Sequence, residues 1–446
     1  MTMTMQDNQG CYGGGSDSKR VKLALLICLH IITCCVSLIF VANLDAPDRF
    51  IPAKFHVFFD PARWHVAALV VATFALVSSV FVFARFSFGY FVGFYSYTMI
   101  LGYLWLGRFT DLNYNGRLAG LSAAASAVAF LLPALFVTSP AHRWFTLTAK
   151  SFDQLLTCIL ILGIAIVAVG AAYNFHLVGL RDMYQYRAKL AVPTIVNYLV
   201  TIFSSALLPF AFAGFVTTRA HWRGVAILVL LLFFYPITLN KVALFTPLWL
   251  IALLILLRFF EARIVTVLSL LGPVLAGVLS IAAFGSKETL YFYTVNFRMI
   301  AVPSIAMDVY NDFFATHDRT SFCQISIVKW ITQCPYQDQL SIVMERTYGL
   351  GAFNASLFST EGIASVGSLF APVTALGCGL VFALANRLST GLSDRFVLLS
   401  GAIFPPILLN VPLTTTLLTH GAAFLFLLWY MTPRTIFGHE AGRKNR

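Results

Sequence analysis

The stretch that decides the fold is the apolar run at residues 21–43, VKLALLICLHIITCCVSLIFVAN. Its only charged residue is Lys22, and a helix of this length spans the roughly 30 Å hydrocarbon core of a bilayer. The run is longer than the core of a signal peptide and lacks a small-residue cleavage site. We therefore expect it to remain in the protein as the first membrane span.

Runs of the same kind recur along all 446 residues. The chain is 59% hydrophobic and 11% charged, against roughly 25% charged residues in a soluble domain, so an ordinary globular protein is excluded. We predict an all-α, polytopic transmembrane helical bundle of about twelve spans. The predicted spans are 21–43, 66–84, 88–106, 117–137, 153–173, 194–217, 224–239, 242–257, 264–284, 365–385, 396–410 and 413–431.

These spans divide the chain into five parts. Residues 1–20 are polar and rich in glycine, which predicts a disordered cytoplasmic tail. Residues 21–284 hold spans one to nine, and residues 285–364 form a large periplasmic loop or cap. Residues 365–431 hold spans ten to twelve, and residues 432–446 form a basic cytoplasmic tail.

The count depends on residues 224–257, where Asn240 and Lys241 separate two short apolar runs. One long helix here would invert every later segment and place the basic carboxyl terminus on the outer side. That arrangement contradicts the positive-inside rule, so we predict two helices, with a local break at Pro236.

The distribution of Lys and Arg sets the predicted orientation. The net charge is +12, and basic residues are common on the short segments that become cytoplasmic when both termini are cytoplasmic. Many basic residues nevertheless fall on the outer side, which predicts an anionic ligand there. These residues are Arg49, Lys54, Arg63, Arg108, Arg117, Arg181, Arg187, Lys189, Lys241, Lys287, Arg298, Arg319, Lys329 and Arg346.

Several classes of membrane protein are disfavoured by missing motifs. The sequence has no phosphate-binding glycine loop, no HExxH, no paired CxxC, no GxSxG and no TVGYG filter. We expect no metal site and no cofactor. Asp153 is the only carboxylate at a predicted span boundary, and no Asp, Glu or Lys lies at the middle of a span, which argues against ion-coupled transport.

The loop at 285–364 has two features of its own. Residues 289–314, TLYFYTVNFRMIAVPSIAMDVYNDFF, show apolar positions near a helical period with charges interspersed, which favours a helix lying at the membrane interface. Cys323 and Cys334 stand in the same loop, which would be oxidising if it is periplasmic, so we predict a disulfide between them.

Three short segments supply candidate functional groups. Arg181 and Arg187 lie in LRDMYQYRAK, where they could bind phosphate oxygens or simply anchor the helix end. Lys241, beside Asn240, could face an anion or pair with a protein oxygen. Glu361 lies among small residues that permit close approach of a ligand, although it could equally cap a helix.

The segments DMYQYRAKLAVP, YPITLNKVALFTPLW, NASLFSTEGIASVGSLFAPVTALGCGLVFALANRL and TTTLLTHGAAFLFLLW, together with the long outer loop, resemble bacterial O-antigen and exopolysaccharide polymerases of the Wzy type. The resemblance implies a metal-independent glycosyltransferase of the bacterial inner membrane. Such an enzyme joins oligosaccharide repeat units carried on undecaprenyl diphosphate at the periplasmic face.

The resemblance also suggests roles for particular residues. The departing diphosphate needs positive charge, for which the candidates are Arg181, Arg187, Lys241, Arg298 and Arg346. The attacking hydroxyl benefits from a general base, for which Glu361 is the first choice, followed by His317 and Asp312.

The expected partners are the lipid-linked oligosaccharide and membrane lipid, with chain-length regulators and flippases as further candidates and no nucleic acid. Two alternatives remain open: a ligase that transfers finished glycan from the same carrier, and a flippase or secondary transporter of an anionic or lipid-linked solute.

Overall fold

The computed structural model describes residues 14–43, 55–179, 186, 193–285, 290–325, 328, 331–351 and 355–437. Over these residues the chain is helical and contains no β-strand, apart from one isolated bridge between Val57 and Thr110. Nine of the described helices are long and apolar enough to cross a membrane. The all-α, multi-pass membrane fold is therefore confirmed, and the count of twelve spans stays a prediction.

The first nine helices account for the amino-terminal bundle. They are α1 Gly14–Ala42, α2 Trp64–Phe83, α3 Phe88–Leu106, α4 Gly116–Phe136, α5 Ala149–Tyr173, α6 Thr194–Thr217, α7 His221–Thr238, α8 Lys241–Phe259 and α9 Ala262–Phe284.

The remaining helices are shorter, except for α10 and α13. Helix α10 is continuous through Leu290–Phe292, the π-helical stretch Tyr293–Ala301 and Val302–Thr316. It is followed by α11 Leu340–Tyr348, the π-helix α12 Phe358–Ala364, α13 Ala371–Ser389, α14 Asp394–Ser400, α15 Phe404–Leu408, α16 Leu413–Leu418 and α17 Ala422–Met431. The membrane-crossing set comprises α1, α2, α4 to α9 and α13.

Helix α3 forms the centre of the bundle. All of its residues are buried, and it packs against α1, α2, α4, α10 and α13. Its amino-terminal turn is held by a side chain from far along the sequence, because Asn386 accepts a hydrogen bond from the Gly89 N–H at 2.8 Å. The same asparagine donates to the Ala134 carbonyl at 2.7 Å, so one side chain joins three helices.

Helices α4 and α13 make the most extensive helix pair in the bundle. The sequence GLSAAASA in α4 places small side chains along the contact, which lets the two backbones approach closely. Gly379 lies directly against the Phe130 carbonyl, where a side chain would not fit. Close packing of small residues therefore replaces the hydrophobic driving force that is absent within lipid.

Five sequence-based boundaries differ from the structure, and each has a local cause. Helix α1 begins at Gly14, so the end of the predicted disordered tail is helical, with Asp17 in the first turn, where a negative charge is favourable.

Helices α7 and α8 are separate, as predicted, but Pro236 lies inside α7. The break occurs at Leu239, which has a left-handed φ of 47°, and Asn240 then caps α8 by accepting from the Val242 N–H.

The segment near residue 365 also differs. Predicted span 365–385 instead begins at Ala371, because Gly367 adopts a φ of +78° and ends the preceding helical segment. Predicted spans 396–410 and 413–431 are each interrupted, giving α14 with α15 and α16 with α17. Pro405 lacks an N–H and lies in the first turn of α15, and Gly421 adopts a φ of +79° between α16 and α17, which explains the interruptions.

The predicted interfacial helix is wrong in its placement. Most residues of Val302–Thr316 are buried, because α10 packs into the bundle against α3 rather than lying on its surface. Ser304 donates to the Ile300 carbonyl at 2.7 Å and lies against Gly102 of α3. The glycine permits the contact, and a helical period alone does not distinguish an interfacial helix from a buried one.

One end of the bundle, which we call the basic end, gathers arginines from distant parts of the chain. Arg143 donates to the carbonyls of Leu388 at 2.9 Å and Thr432 at 3.0 Å, where α13 and α17 end. Arg387 and Arg434 donate to main-chain carbonyls at the same end. The charge count assigns all three arginines to one side, and the structure agrees; that this side is cytoplasmic stays a prediction. Residues 1–13 and 438–446 of the predicted tails lie outside the described residues.

Candidate functional site

The end of the bundle opposite the basic end holds a cavity of about 340 Å³, which we call the arginine cavity. It lies where α2 and α4 begin and α3 ends. Its lining residues are Arg63, Val66, Gly107, Arg108, Thr110, Leu112, Tyr114 and Gly116.

The connection between α3 and α4 forms most of the cavity wall. Its backbone is held by the segment before α2, because the Phe58 N–H donates to the Phe109 carbonyl at 2.9 Å and the Asp111 N–H donates to the His56 carbonyl at 3.1 Å. Asn115 then caps α4 by accepting from the Leu118 N–H. These contacts fix the wall at both ends.

Two arginines give the cavity its positive charge. Arg63 is exposed and pairs with Asp60 at 3.1 Å through Nε. Arg108 is half-buried and lies across Gly120, and its buried Nε donates to no described residue. Because a guanidinium presents several donors in a planar fork, two of them at one cavity suit a phosphate or diphosphate.

A buried carboxyl group stands behind the cavity. The Tyr114 hydroxyl, on the cavity wall, donates to Oδ1 of Asp308, which is 1% exposed. The Tyr103 and Tyr114 oxygens are 3.2 Å apart, and since the Tyr114 proton goes to Asp308, Tyr103 must be the donor of that pair. Asn311 Nδ2 donates in turn to the Tyr103 oxygen at 3.2 Å. The result is a directed chain of hydrogen bonds that ends on Asp308.

Asp308 is also the carboxyl group in this region whose titration is most clearly altered. Its pKa is raised from the usual 3.8 to about 6, mainly by burial, and the neighbouring carboxyls of Asp312 and Asp111 contribute to this rise. The Thr110 and Tyr114 hydroxyls oppose the shift. Among the described residues, none hydrogen-bonds its second oxygen, Oδ2. Asp308 therefore keeps an accepting position while it titrates close to neutrality.

Asp312, a predicted base, has both carboxyl oxygens engaged. Oδ1 accepts from the Asn113 N–H at 2.8 Å, and Oδ2 accepts from the Tyr348 hydroxyl at 2.6 Å. This carboxylate ties the wall of the cavity and helix α11 to α10. Its contacts favour a structural role.

His317, another predicted base, lies just beyond the end of α10. Its Nδ1 is 2.9 Å from the Phe313 carbonyl, which can only accept, so the proton of the neutral ring sits on Nδ1. The ring stacks on Phe313 with centroids 4.0 Å apart. Nε2 is left as the acceptor, but His317 does not line the arginine cavity.

Glu361, the first choice as base, is buried in α12. Its Oε1 accepts from both the N–H and the hydroxyl of Thr414 at 3.0 Å, and Oε2 has no partner among the described residues. Burial raises the pKa of Glu361, while the Thr414 hydrogen bonds lower it. Glu361 thus fastens α12 to α16, and it is not part of the cavity lining.

Three of the five cations that the sequence suggests for the diphosphate, Lys241, Arg298 and Arg346, do not line this cavity. Arg346 pairs with Asp338 at 2.5 Å on the surface, Arg298 is exposed on α10, and Lys241 is the first residue of α8. Arg181 and Arg187 lie outside the described residues, so their role stays a prediction.

The structure instead brings together Arg63 and Arg108, which the charge count had placed on the outer side without selecting them. Asp308 was equally visible in the sequence as a carboxylate within an apolar helical segment. The missing information was the contact between α10 and the α3–α4 connection, about 200 positions apart, which no local pattern encodes.

Cys323 and Cys334 form the predicted disulfide, with Cα atoms 5.2 Å apart. The segment before it returns to the bundle, because the Thr320 N–H donates to the Ala364 carbonyl at 2.9 Å. Arg319 lies over Gly367, where a side chain would not fit. The bridged loop is thereby attached to the end of α12.

Comparisons with family models, with curated proteins and with solved structures gave no match.

Proposed function

We propose that this chain is a membrane glycosyltransferase that polymerises oligosaccharide repeat units carried on undecaprenyl diphosphate, at the periplasmic face of a bacterial inner membrane. The observation that carries the proposal is the arginine cavity, which both Arg63 and Arg108 line at one end of a multi-pass bundle. Such a position can receive the headgroup of a carrier whose lipid tail remains in the membrane.

The chemistry requires little more than positioning and charge. An acceptor hydroxyl attacks the anomeric carbon of the donor glycan, and the carrier diphosphate departs with the bonding electrons. Negative charge builds up on the leaving oxygen, and guanidinium groups fixed at that place stabilise it electrostatically. Arg63 and Arg108 supply this function in the proposal, and no metal or nucleotide is required.

A glycan ligase would use the same leaving group but transfer finished polymer to a different acceptor. A transporter would move the lipid-linked solute without breaking its glycosidic bond. The three functions are therefore separated by their products: an oligomer ladder on the carrier, transfer to a second acceptor, or unchanged substrate on the opposite side.

The test uses the purified protein in liposomes with lipid-diphosphate-linked repeat units, followed by separation of the glycans by size. Replacing Arg63 or Arg108 by Ala removes charge-assisted hydrogen bonds of about 1.5 to 3 kcal/mol each, so we expect a loss of about 10- to 150-fold in rate. Lysine should restore only part of the loss, because it lacks the planar fork.

Arg117→Ala is the matched control. Arg117 is exposed in the first turn of α4 and lies beside the cavity without lining it. It should retain wild-type chain length and yield. Normal polymer from the Arg63→Ala and Arg108→Ala double variant, at equal membrane abundance, would refute the proposed role of the cavity.

A further inference from the structure

The cavity wall carries one hydroxyl that is connected to a buried acid, and this connection suggests how the acceptor is activated. We propose that Tyr114 and Asp308 relay the proton lost by the acceptor hydroxyl, with Tyr114 as the residue that contacts the sugar. The inference rests on the proposed function and assigns the general base of that reaction.

The geometry supports a relay in one direction. Tyr114 lines the cavity, and its proton already points to Asp308 Oδ1. The Tyr114 oxygen accepts from Tyr103 and retains a second lone pair, which can accept from a ligand in the cavity. A proton that arrives on this oxygen can be matched by transfer of the tyrosine proton to Asp308.

The step balances without another reactant. The acceptor oxygen forms a bond to the anomeric carbon as the bond from that carbon to the diphosphate oxygen breaks, and the electron pair of the broken bond leaves with the diphosphate. The acceptor proton passes to the Tyr114 oxygen while the tyrosine proton passes to Asp308. Loss of that proton to water after product release restores the carboxylate.

A second Tyr–Asp pair on the same helix shows what a structural pair looks like. Tyr348 donates to Asp312, but Asn113 occupies the other Asp312 oxygen and Tyr348 does not line the cavity. Asp308 instead keeps Oδ2 buried without a hydrogen-bond partner among the described residues, an arrangement that costs stability. Glu361 Oε2 also lacks a partner among the described residues, so what distinguishes Asp308 is that its other oxygen accepts from a tyrosine that lines the cavity.

The groups around Asp308 define the expected pH response. The titratable and charged groups that interact with it on α10, on the α3–α4 connection, on α3 and on α11 are Asp312, Asp111, Tyr114, Tyr103 and Tyr348. Arg108 interacts electrostatically with Tyr103 in the same cluster. With its pKa near 6, Asp308 is a carboxylate above that pH and can accept a proton, so turnover should fall as the pH drops through about 6.

The experiment measures polymer formation in liposomes from about pH 5 to about pH 8 for the wild type, Asp308→Asn, Tyr114→Phe and Tyr348→Phe. General base catalysis contributes about 100- to 10,000-fold, so we expect losses of that order for Asp308→Asn and Tyr114→Phe. The small residual rate of Asp308→Asn should no longer decrease as the pH drops through about 6. Tyr348→Phe removes the same hydroxyl from the second pair, which does not line the cavity, so it should keep the rate at neutral pH and still lose turnover as the pH drops.

Binding of a lipid-diphosphate analogue separates this inference from the proposed function. The two relay variants should bind it as the wild type does, whereas the Arg108→Ala variant should bind it more weakly. A wild-type protein that forms no polymer would refute the function. If the wild type forms polymer and Asp308→Asn either turns over at a near-normal rate or keeps the wild-type pH profile, the relay alone is refuted.

A spectroscopic readout does not depend on turnover. In the purified protein, infrared difference spectra should show a protonated carboxyl band that appears as the pH falls through about 6 and is absent from Asp308→Asn. A spectrum in which the variant retains that band would overturn the assignment of the titrating group.

Discussion

The side chain of Asn296 occupies the space over Gly277, so that α10 and α9 touch at a point where no Cβ would fit. Asn296 also donates to Ser37 Oγ at 2.9 Å and to the Val274 carbonyl at 2.8 Å, which adds α1 to the contact. This junction holds the beginning of α10 inside the bundle. The position of Asp308 farther along α10 depends on it.

Gly277→Ala should therefore destabilise the protein by about 1 to 3 kcal/mol, the usual cost of overpacking a buried contact. Thermal unfolding in detergent measures the change. Gly272→Ala on the same helix is the control, because a Cβ there would meet no atom within 4 Å. Equal melting temperatures for the two variants would contradict the proposed importance of the junction.

Asp308→Asn should stabilise the folded protein at neutral pH even though it abolishes the relay. The folded protein holds the Asp308 proton more tightly than the unfolded chain, because the pKa rises from 3.8 to about 6. The contribution of Asp308 to the free energy of unfolding is favourable below about pH 4 and is lost as the pH rises to about 6. The free energy of unfolding changes by about 3 kcal/mol as a result.

The measurement compares wild-type and Asp308→Asn unfolding at both ends of that pH window. The free energy of unfolding of the variant should exceed that of the wild type only at the higher pH, since asparagine keeps an acceptor for Tyr114 and carries no buried charge. An equal difference at both pH values would mean that Asp308 does not titrate in this window.

Glu361→Gln distinguishes the two candidate bases. Glutamine keeps an oxygen for the Thr414 N–H and hydroxyl, so the variant should fold and, because Glu361 lies outside the cavity lining, should retain most polymer formation. Glu361→Ala leaves both Thr414 donors without that acceptor and should cost about 1 to 3 kcal/mol. Loss of turnover in Glu361→Gln at a normal melting temperature would restore Glu361 as the base.

Replacing Cys323 or Cys334 by Ser should destabilise the attached loop by roughly 2 to 4 kcal/mol, because an open chain has more conformational freedom when unfolded. Proteolysis within residues 317–351 reports the change. Cys158→Ser, an exposed free cysteine on α5, should have no such effect. If both loop thiols of the unreduced, denatured protein react with maleimide, the bond is absent in the protein.

The sequence predicts both termini on the cytoplasmic side and the loop at 285–364 outside. A reporter that is active only in the cytoplasm should therefore work after Arg446, and one that requires export should work near Asp318. Detection of both positions on the same side of the membrane would refute the twelve-span topology.

Fold class was accessible from the sequence because lipid demands long apolar helices whose polar backbone groups are satisfied internally. The separation of α7 and α8 followed from the charge count, although the break lies at Leu239 and not at Pro236. The disulfide was predictable because two cysteines share one loop. These are local or compositional features.

The candidate site was not accessible in the same way. Tyr114 and Asp308 are 194 positions apart, and their contact depends on α10 being buried against α3. The periodicity of residues 289–314 fits an interfacial helix and a buried helix equally well. Only the tertiary arrangement distinguishes Asp308, whose second oxygen has no hydrogen-bond partner among the described residues, from Asp312, whose oxygens are both occupied.

The complete burial of α3 has a consequence for how the protein is made. This helix carries Tyr90, Tyr95, Tyr97 and Tyr103 and has no side that faces lipid in the finished bundle, and some of its polar groups gain their partners from neighbours synthesised later. Ser269 of α9 and Asn386 of α13 are two of those partners. A nascent chain halted before α9 should therefore stay beside the insertion machinery, where crosslinking from α3 would detect it. During biogenesis, the packing of the central helix is then completed only after the carboxyl-terminal half of the chain has been synthesised.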